Sequence, residues 1–211
     1  MSPSTNAMSR RTGQIATIAL GLGLIGFILW MPRKAESTQV VPATEAEGEL
    51  PSNADPVDLA VEKVSGPNPM EGILALRALA EGDEPNVDAV VWLGIFGVQS
   101  GQLDKARERF SEALSLEPSH SEATWQLAML DMEEGAYDRA VVGFETVMDQ
   151  DSSYANGLFF TARCYEAMGK LDAARIRYQE YLPFAPDTVI EQRVLDFITR
   201  LDSGTSAGIN E

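Results

Sequence analysis

One cysteine and one histidine are all that the chain offers for nucleophilic, redox or zinc chemistry. Cys164 has no second thiol to pair with and no nearby metal ligand, so inside a helical pattern it reads as a small buried apolar group. His120 stands alone in a turn, without the companions that zinc binding or acid–base catalysis needs. Adjacent acids such as Glu133 and Glu134 point different ways on a helix, which suits a charged turn better than a catalytic pair. No catalytic residue, metal or cofactor is expected, and an enzyme is the most remote reading. Positive charge is scarce as well: Lys34, Lys63, Lys105 and Lys170 are the only lysines. Every acidic residue lies beyond Pro32, where 14 basic residues face 32 acidic ones for a net charge of −18. Such a surface repels phosphate backbones and excludes nucleic acid as a partner.

Long apolar runs are absent but for one, from Ile15 to Met31, about 17 residues long. That is near the lower limit for crossing a bilayer, and Trp30 at its end suits the interface. The segment after it, Trp30-Met31-Pro32-Arg33-Lys34, has no small-x-small cleavage site, so residues 14–32 read as an uncleaved transmembrane anchor behind a short tail, 1–13. Arg10 and Arg11 precede the anchor while a long domain follows it, which places the N-terminus in the cytoplasm and the domain outside, in a periplasm if the cell has one. The literal GxGxxG at Gly21–Gly26 lies in this span, not between a strand and a helix, and so is no dinucleotide site. Ala16, Ala19, Gly23 and Gly26 share one helical face, on which two anchors could approach closely as a homodimer. Residues 33–56 lack apolar period and are acidic and small, the composition of a disordered tether.

What the chain has in quantity is a period. Gly101, Gly135 and Gly169 recur every 34 residues; Ala106, Ala140 and Ala174 follow at one fixed offset, and Phe110, Phe144 and Tyr178 four residues later. Paired amphipathic helices at that spacing bury nothing alone and need stacked neighbours for a core. Leu93 with Gly94, Leu127 with Ala128, and Ala162 with Tyr165 complete the pattern, with Val147, Ser152, Thr161 and Tyr181 as departures. On these positions the chain resembles the tetratricopeptide repeat family. The expected fold is all-α: a solenoid over 57–201 with full repeats at 87–120, 121–154 and 155–187, behind the anchor. A degenerate pair before Val87, in which Leu76 and Leu79 take the places of Phe110 and Ala113, leads the array, and an apolar stripe of Ile190, Val194, Phe197, Ile198 and Leu201 marks a capping helix over 188–201. Residues 202–211 read as a disordered tail.

The resemblance implies that the first helix of each repeat lines a groove for protein segments. Carried over position by position, that groove holds Val91, Ile95, Val98, Trp125, Met129, Met132, Phe159 and Arg163. Its middle is apolar and rich in aromatic and sulfur groups, which suits an apolar or amphipathic segment. The lysine, arginine and asparagine clamp of the family's chaperone adaptors is absent: Val91, Ile95, Gln126 and Phe160 occupy those places and only Asn156 fits. The expected function is a membrane-tethered scaffold for envelope protein assembly, secretion or maturation. The alternatives are that these side chains pack against a neighbouring helix, or that the protein is a self-associating anchor without a client.

Overall fold

The computed structural model describes residues 54–207. The tail 1–13, the anchor 14–32 with Ala16, Ala19, Gly23 and Gly26, nearly all of the linker 33–56, and the last four residues lie outside the described part. Among the described residues the secondary structure is entirely helical. The helices are α1 (Pro56–Ser65), α2 (Pro69–Ala80), α3 (Val87–Gln99), α4 (Leu103–Leu116), α5 (Ser121–Glu133), α6 (Tyr137–Gln150), α7 (Gly157–Ala167), α8 (Leu171–Tyr181) and α9 (Thr188–Ala207). Two short 3-10 turns, Ser152–Tyr154 and Leu182–Phe184, replace the ordinary link after α6 and α8.

Consecutive helices pair as hairpins, α1 with α2, α3 with α4, α5 with α6 and α7 with α8, and each second helix packs on the first helix of the next pair. The glycine period sets the hairpin turns. Gly101, Gly135 and Gly169 have φ of 74°, 80° and 74°, the left-handed region that a side chain disfavours. At each, the next residue's N–H reaches back to the third-last carbonyl of the helix: Gln102 to Gly97, Ala136 to Asp131 and Lys170 to Tyr165, all at 2.8 Å. The glycine N–H takes the following carbonyl, completing the double hydrogen bond that satisfies a helix end.

Packing inside the hairpins follows the small and large positions. Gly94 faces the Phe110 ring so closely that a Cβ there would lie 2.5 Å from it, and Ala128 meets Gly143 in the next hairpin in the same way. Phe110, Phe144 and Tyr178 are fully buried in register, as are Ala106, Ala140 and Ala174. Leu76, also fully buried, takes the place in α2 that Phe110 takes in α4. Two of the departures from the repeat pattern do not loosen it: Val147 and Tyr181 are buried, and Tyr181 fits because α8 stops there and turns into 182–184.

Two helix ends differ from the sequence expectation, and a third has no side-chain cap. The first helix starts at Pro56 rather than after it, because the Asp55 carboxylate accepts from the Val57 N–H at 2.8 Å. Asn68 precedes α2 but its side chain makes no capping bond; its backbone carbonyl accepts from Glu71 instead. The last helix continues past Leu201 to Ala207, through residues expected to be a tail, with the Ser203 hydroxyl bonded to the Thr199 carbonyl. Its start is fixed by Asp187, whose carboxylate accepts from Ile190 N–H at 2.8 Å.

One buried group is mismatched. Thr161 stands where the pattern has leucine, is wholly buried, and its hydroxyl has no hydrogen-bond partner among the described residues. Thr161→Val keeps the shape and removes the desolvated hydroxyl. It is expected to raise stability by about 1 kcal/mol or more, read as a higher midpoint in chemical denaturation.

Candidate functional site

The first helices α3, α5 and α7 carry the eight residues assigned to a groove, and the structure divides them. Val91, Ile95, Trp125 and Phe159 are buried, at 2, 4, 3 and 4 % exposure. Val98, Met129, Met132 and Arg163 are half-buried. Trp125 sits among Phe144, Tyr154 and Phe160, with ring centroids 5.1, 5.4 and 5.4 Å away. Phe159 continues that line of rings to Tyr178, Tyr181 and, at 6.2 Å, Phe197 of α9. These two aromatics are therefore core, shared between adjacent hairpins, and not free surface.

At the third hairpin the face is covered by α9. Phe197 stacks on Tyr178 at 5.4 Å, and two guanidinium groups lie near its ring, Arg163 at 5.5 Å and Arg200 at 4.9 Å. The Glu166 carboxylate ties the arrangement together: it accepts from Arg163 at 2.9 Å, from the Tyr178 hydroxyl at 2.9 Å and from Arg200 at 2.7 Å. Arg163 and Glu166 are thus engaged by the protein itself. Val98, Met129 and Met132, at the corresponding positions of the earlier hairpins, keep part of their apolar surface in solvent.

On the other side of the first helices, successive second helices meet in seams. In the middle seam Arg107 of α4 lies 2.9 Å from both Asp131 and Glu134, and Arg139 of α6 lies 3.1 Å from Asp131. Asp131 is buried, and the two guanidinium groups are what make its burial tolerable.

The family model for the tetratricopeptide repeat matches twice, at residues 97–151 and 131–195. Over residues 97–195 the chain is a tetratricopeptide repeat protein. Among solved structures it is similar in fold to MamA from Desulfovibrio magneticus RS-1, residues 41 to the end, at 18% identity, a TM-score of 0.60, and cover of 74% of this chain and 90% of that one. A second MamA crystal structure gives 19% identity and a TM-score of 0.61, with 72% and 81% covered. A third, MamA AMB-1, gives 20% and 0.59 with the same cover. No curated protein matches the chain.

The tetratricopeptide register also accounts for His120, which sequence reasoning left as a loop residue. It is the N-cap of α5: Nδ1 accepts from the Ala123 N–H at 3.2 Å, which leaves Nε2 to donate to Asp88 at 3.1 Å. Asn86 caps α3 one repeat earlier through its side-chain oxygen, at 3.0 Å from the Ala89 N. One repeat later Tyr154 donates to Glu122 at 3.0 Å, the same register as His120 with Asp88. The 34-residue alignment of Asn86 with His120 was the available signal for the cap.

Cys164 is fully buried, and burial pushes its thiol up to about 12. Burial, and then the Asp187 carboxylate, push the Tyr181 hydroxyl up to about 12; burial also raises Tyr178, against the Arg163 charge. Among the described residues no group of three His, Cys, Asp or Glu could hold a metal ion. Two results follow. A thiol reagent at neutral pH is expected to modify Cys164 only after unfolding, measured by reagent uptake with and without denaturant. All three groups keep their protons longer when folded than when unfolded. Their contribution to stability is therefore complete below about pH 9 and is lost as pH rises toward 12, so the melting temperature should fall over that range.

Proposed function

We propose that the protein is a membrane-tethered scaffold that holds apolar or amphipathic segments of other proteins on the face of its first helices. The observation that carries this reading is the half-exposed strip of Val98, Met129 and Met132. The fold covers the equivalent positions of the third hairpin, Arg163 and Glu166, with α9, yet leaves this strip to solvent. Methionines on such a face are pliable and fit more than one apolar partner. Trp125 and Phe159 act beneath the strip as its rigid floor and do not touch the partner.

Tethering is supported by the apolar run from Ile15 to Met31, which lies outside the described residues; among those described, no helix is long and apolar enough to cross a membrane. In this reading the protein crosses the inner membrane once, with its N-terminus in the cytoplasm and the repeats outside, and serves envelope protein assembly, secretion or maturation. It needs no cofactor and performs no catalysis. The small-residue face of Ala16, Ala19, Gly23 and Gly26 would let the anchor pair with a second copy.

A photoreactive residue at Met129 in intact cells tests the scaffold. The expected result is a crosslink to a different protein that disappears in the Met129→Glu, Met132→Glu double variant, whose melting temperature stays close to the parent's because both side chains are already partly in water. A crosslink only to a second copy of the chain would replace the scaffold by self-association. An enzymatic reporter fused after Glu211 reads the side of the membrane.

A further inference from the structure

The seam between α2 and α4 differs from the next one along the array, and the difference lies in single residues. In the middle seam, Arg139 is answered by Asp131 and Glu134. One repeat earlier Lys105 occupies the Arg139 position, but the positions of Asp131 and Glu134 hold Gly97 and Ser100. Lys105 consequently bonds only the amide oxygen of Gln102, at 2.8 Å, and has no carboxylate among the described residues. With Gly97 offering no side chain, the seam is an open cleft of about 360 Å³, floored by Leu93 and Phe96 and bordered by Ile73, Arg77, Lys105 and Arg109. Arg109 is already held by Glu81 and Glu112, at 2.7 and 2.9 Å, whereas Arg77 is largely exposed and no nearer than 4.0 Å to Glu81. Lys105 and Arg77 are the two cations left to an incoming acid, on a domain that is otherwise strongly acidic.

We propose that this cleft seats the chain's own acidic segment, residues 45–50, with carboxylates of Glu45, Glu47 and Glu49 answering Lys105 and Arg77 and Leu50 resting on the apolar floor. The segment supplies what the first seam lacks by comparison with the second: a carboxylate opposite the cation at the start of the second helix. It lies outside the described residues, but its place in the chain is favourable. The described chain begins at Ala54, just before the Asp55 cap of α1. The α1 and α2 hairpin is antiparallel, so the start of α1 lies at the end of α2 that carries Arg77. From Ala54 back to Glu45 is nine residues, which reach up to about 30 Å when extended. A segment joined so closely meets the cleft at an effective concentration of roughly millimolar, so contacts too weak to hold a free peptide suffice. The seat is independent of the strip at Met129, on the opposite side of the first helices.

The test uses the full chain in detergent micelles, isotope-labelled for NMR, with a nitroxide on Ala46→Cys; the buried Cys164 takes no label. The expected result is loss of amide intensity at Phe96, Gly97 and Ser100, with none at Leu201. It should vanish in the Lys105→Glu, Arg77→Glu variant. Gly97→Asp should abolish it too, because that change installs the carboxylate found at Asp131, and its Cβ requires Ala106 to give by only a few tenths of an ångström from 3.3 Å. Both variants are checked for unchanged helicity. Uniform intensities in the labelled parent would overturn the proposal, as would broadening that survives the charge reversal. Broadening seen only when spin-labelled chains are mixed with separately isotope-labelled ones would assign the cleft to a second copy and overturn the seat within one chain.

Discussion

Trp125→Ala is expected to cost about 3–5 kcal/mol and to lower the melting temperature sharply, with loss of helical signal rather than a clean loss of partner binding. The residue is 3 % exposed and its ring contacts three others, Phe144, Tyr154 and Phe160. Those three come from α6, from the turn after it and from α7, so the indole joins the second full hairpin to the third. Removing it leaves a cavity that no single helix can close by shifting. Stability in a stacked array is a sum of unit and neighbour terms, so a defect at this junction also weakens α7, α8 and α9 beyond it. Whole domains are stable by only about 5–15 kcal/mol, which makes the loss a large share of the total. Trp92→Ala is the control: that ring is half-buried, stacks among the described residues on Phe96 alone at 5.7 Å, and should cost clearly less. Denaturant titration followed by circular dichroism measures both. Equal costs for the two would mean that Trp125 is not the junction described.

The same burial moves the functional test away from the aromatics. Sequence spacing assigns Trp125 and Met129 to one face, because four residues make about one helical turn. It does not say how deep each lies. Depth is set by the neighbouring hairpin: Tyr154 and Phe160 close over Trp125, while Met129 is left half-buried. In the third hairpin, Phe159 and Arg163 are reached by Phe197, and Glu166 by Arg200, partners more than thirty residues away in the chain. A substitution meant to remove a partner without unfolding the protein has to fall on Met129 or Met132.

Features fixed by a local rule were legible. The three glycines are in the left-handed conformation because the chain must reverse there, and Ala140 and Phe144 fill small and large places that any stacked hairpin of this length requires. The apolar stripe of α9 reads correctly for the same reason, since Ile190, Val194, Ile198 and Leu201 fall at helical spacing and are all buried. What escaped depends on partners distant in sequence or on weak local preference. The His120 cap looks like an ordinary turn until Asn86 is laid over it. The last turns of α9 contain serine, glycine and threonine, poor helix formers whose continuation does not follow from propensity. The cleft at Gly97 is invisible in the repeat pattern, because position 97 is not among its recurring glycine, alanine or aromatic places and only comparison with Asp131 shows what is missing.

Gly72→Ala is expected to detach the leading hairpin. Glycine in a helix interior is ordinarily a cost, and alanine there would gain up to about 1 kcal/mol in an isolated helix. In α2 the sign reverses. A Cβ on residue 72 would lie 2.5 Å from the carbonyl oxygen of Ala60 and 2.5 Å from the backbone nitrogen of Val64. Neither atom belongs to a side chain that can rotate away, so α1 must move as a body. Moving it exposes Val57 and Ala60 and uncovers the fully buried Leu76. Overpacking costs of about 1–3 kcal/mol therefore exceed the helical gain, and the substitution destabilises. Its effect should be local, since each hairpin touches only its neighbours: amide exchange in α1 and α2 should quicken while α7 to α9 keep their protection. Gly157→Ala sets the scale from the other side, because its new Cβ would meet the flexible end of Met148 at 2.8 Å, and that side chain can swing aside. If Gly72→Ala exchanges and melts like the parent, α1 and α2 do not touch backbone to backbone. The pair would then be an ordinary flanking segment and not the first unit of the array.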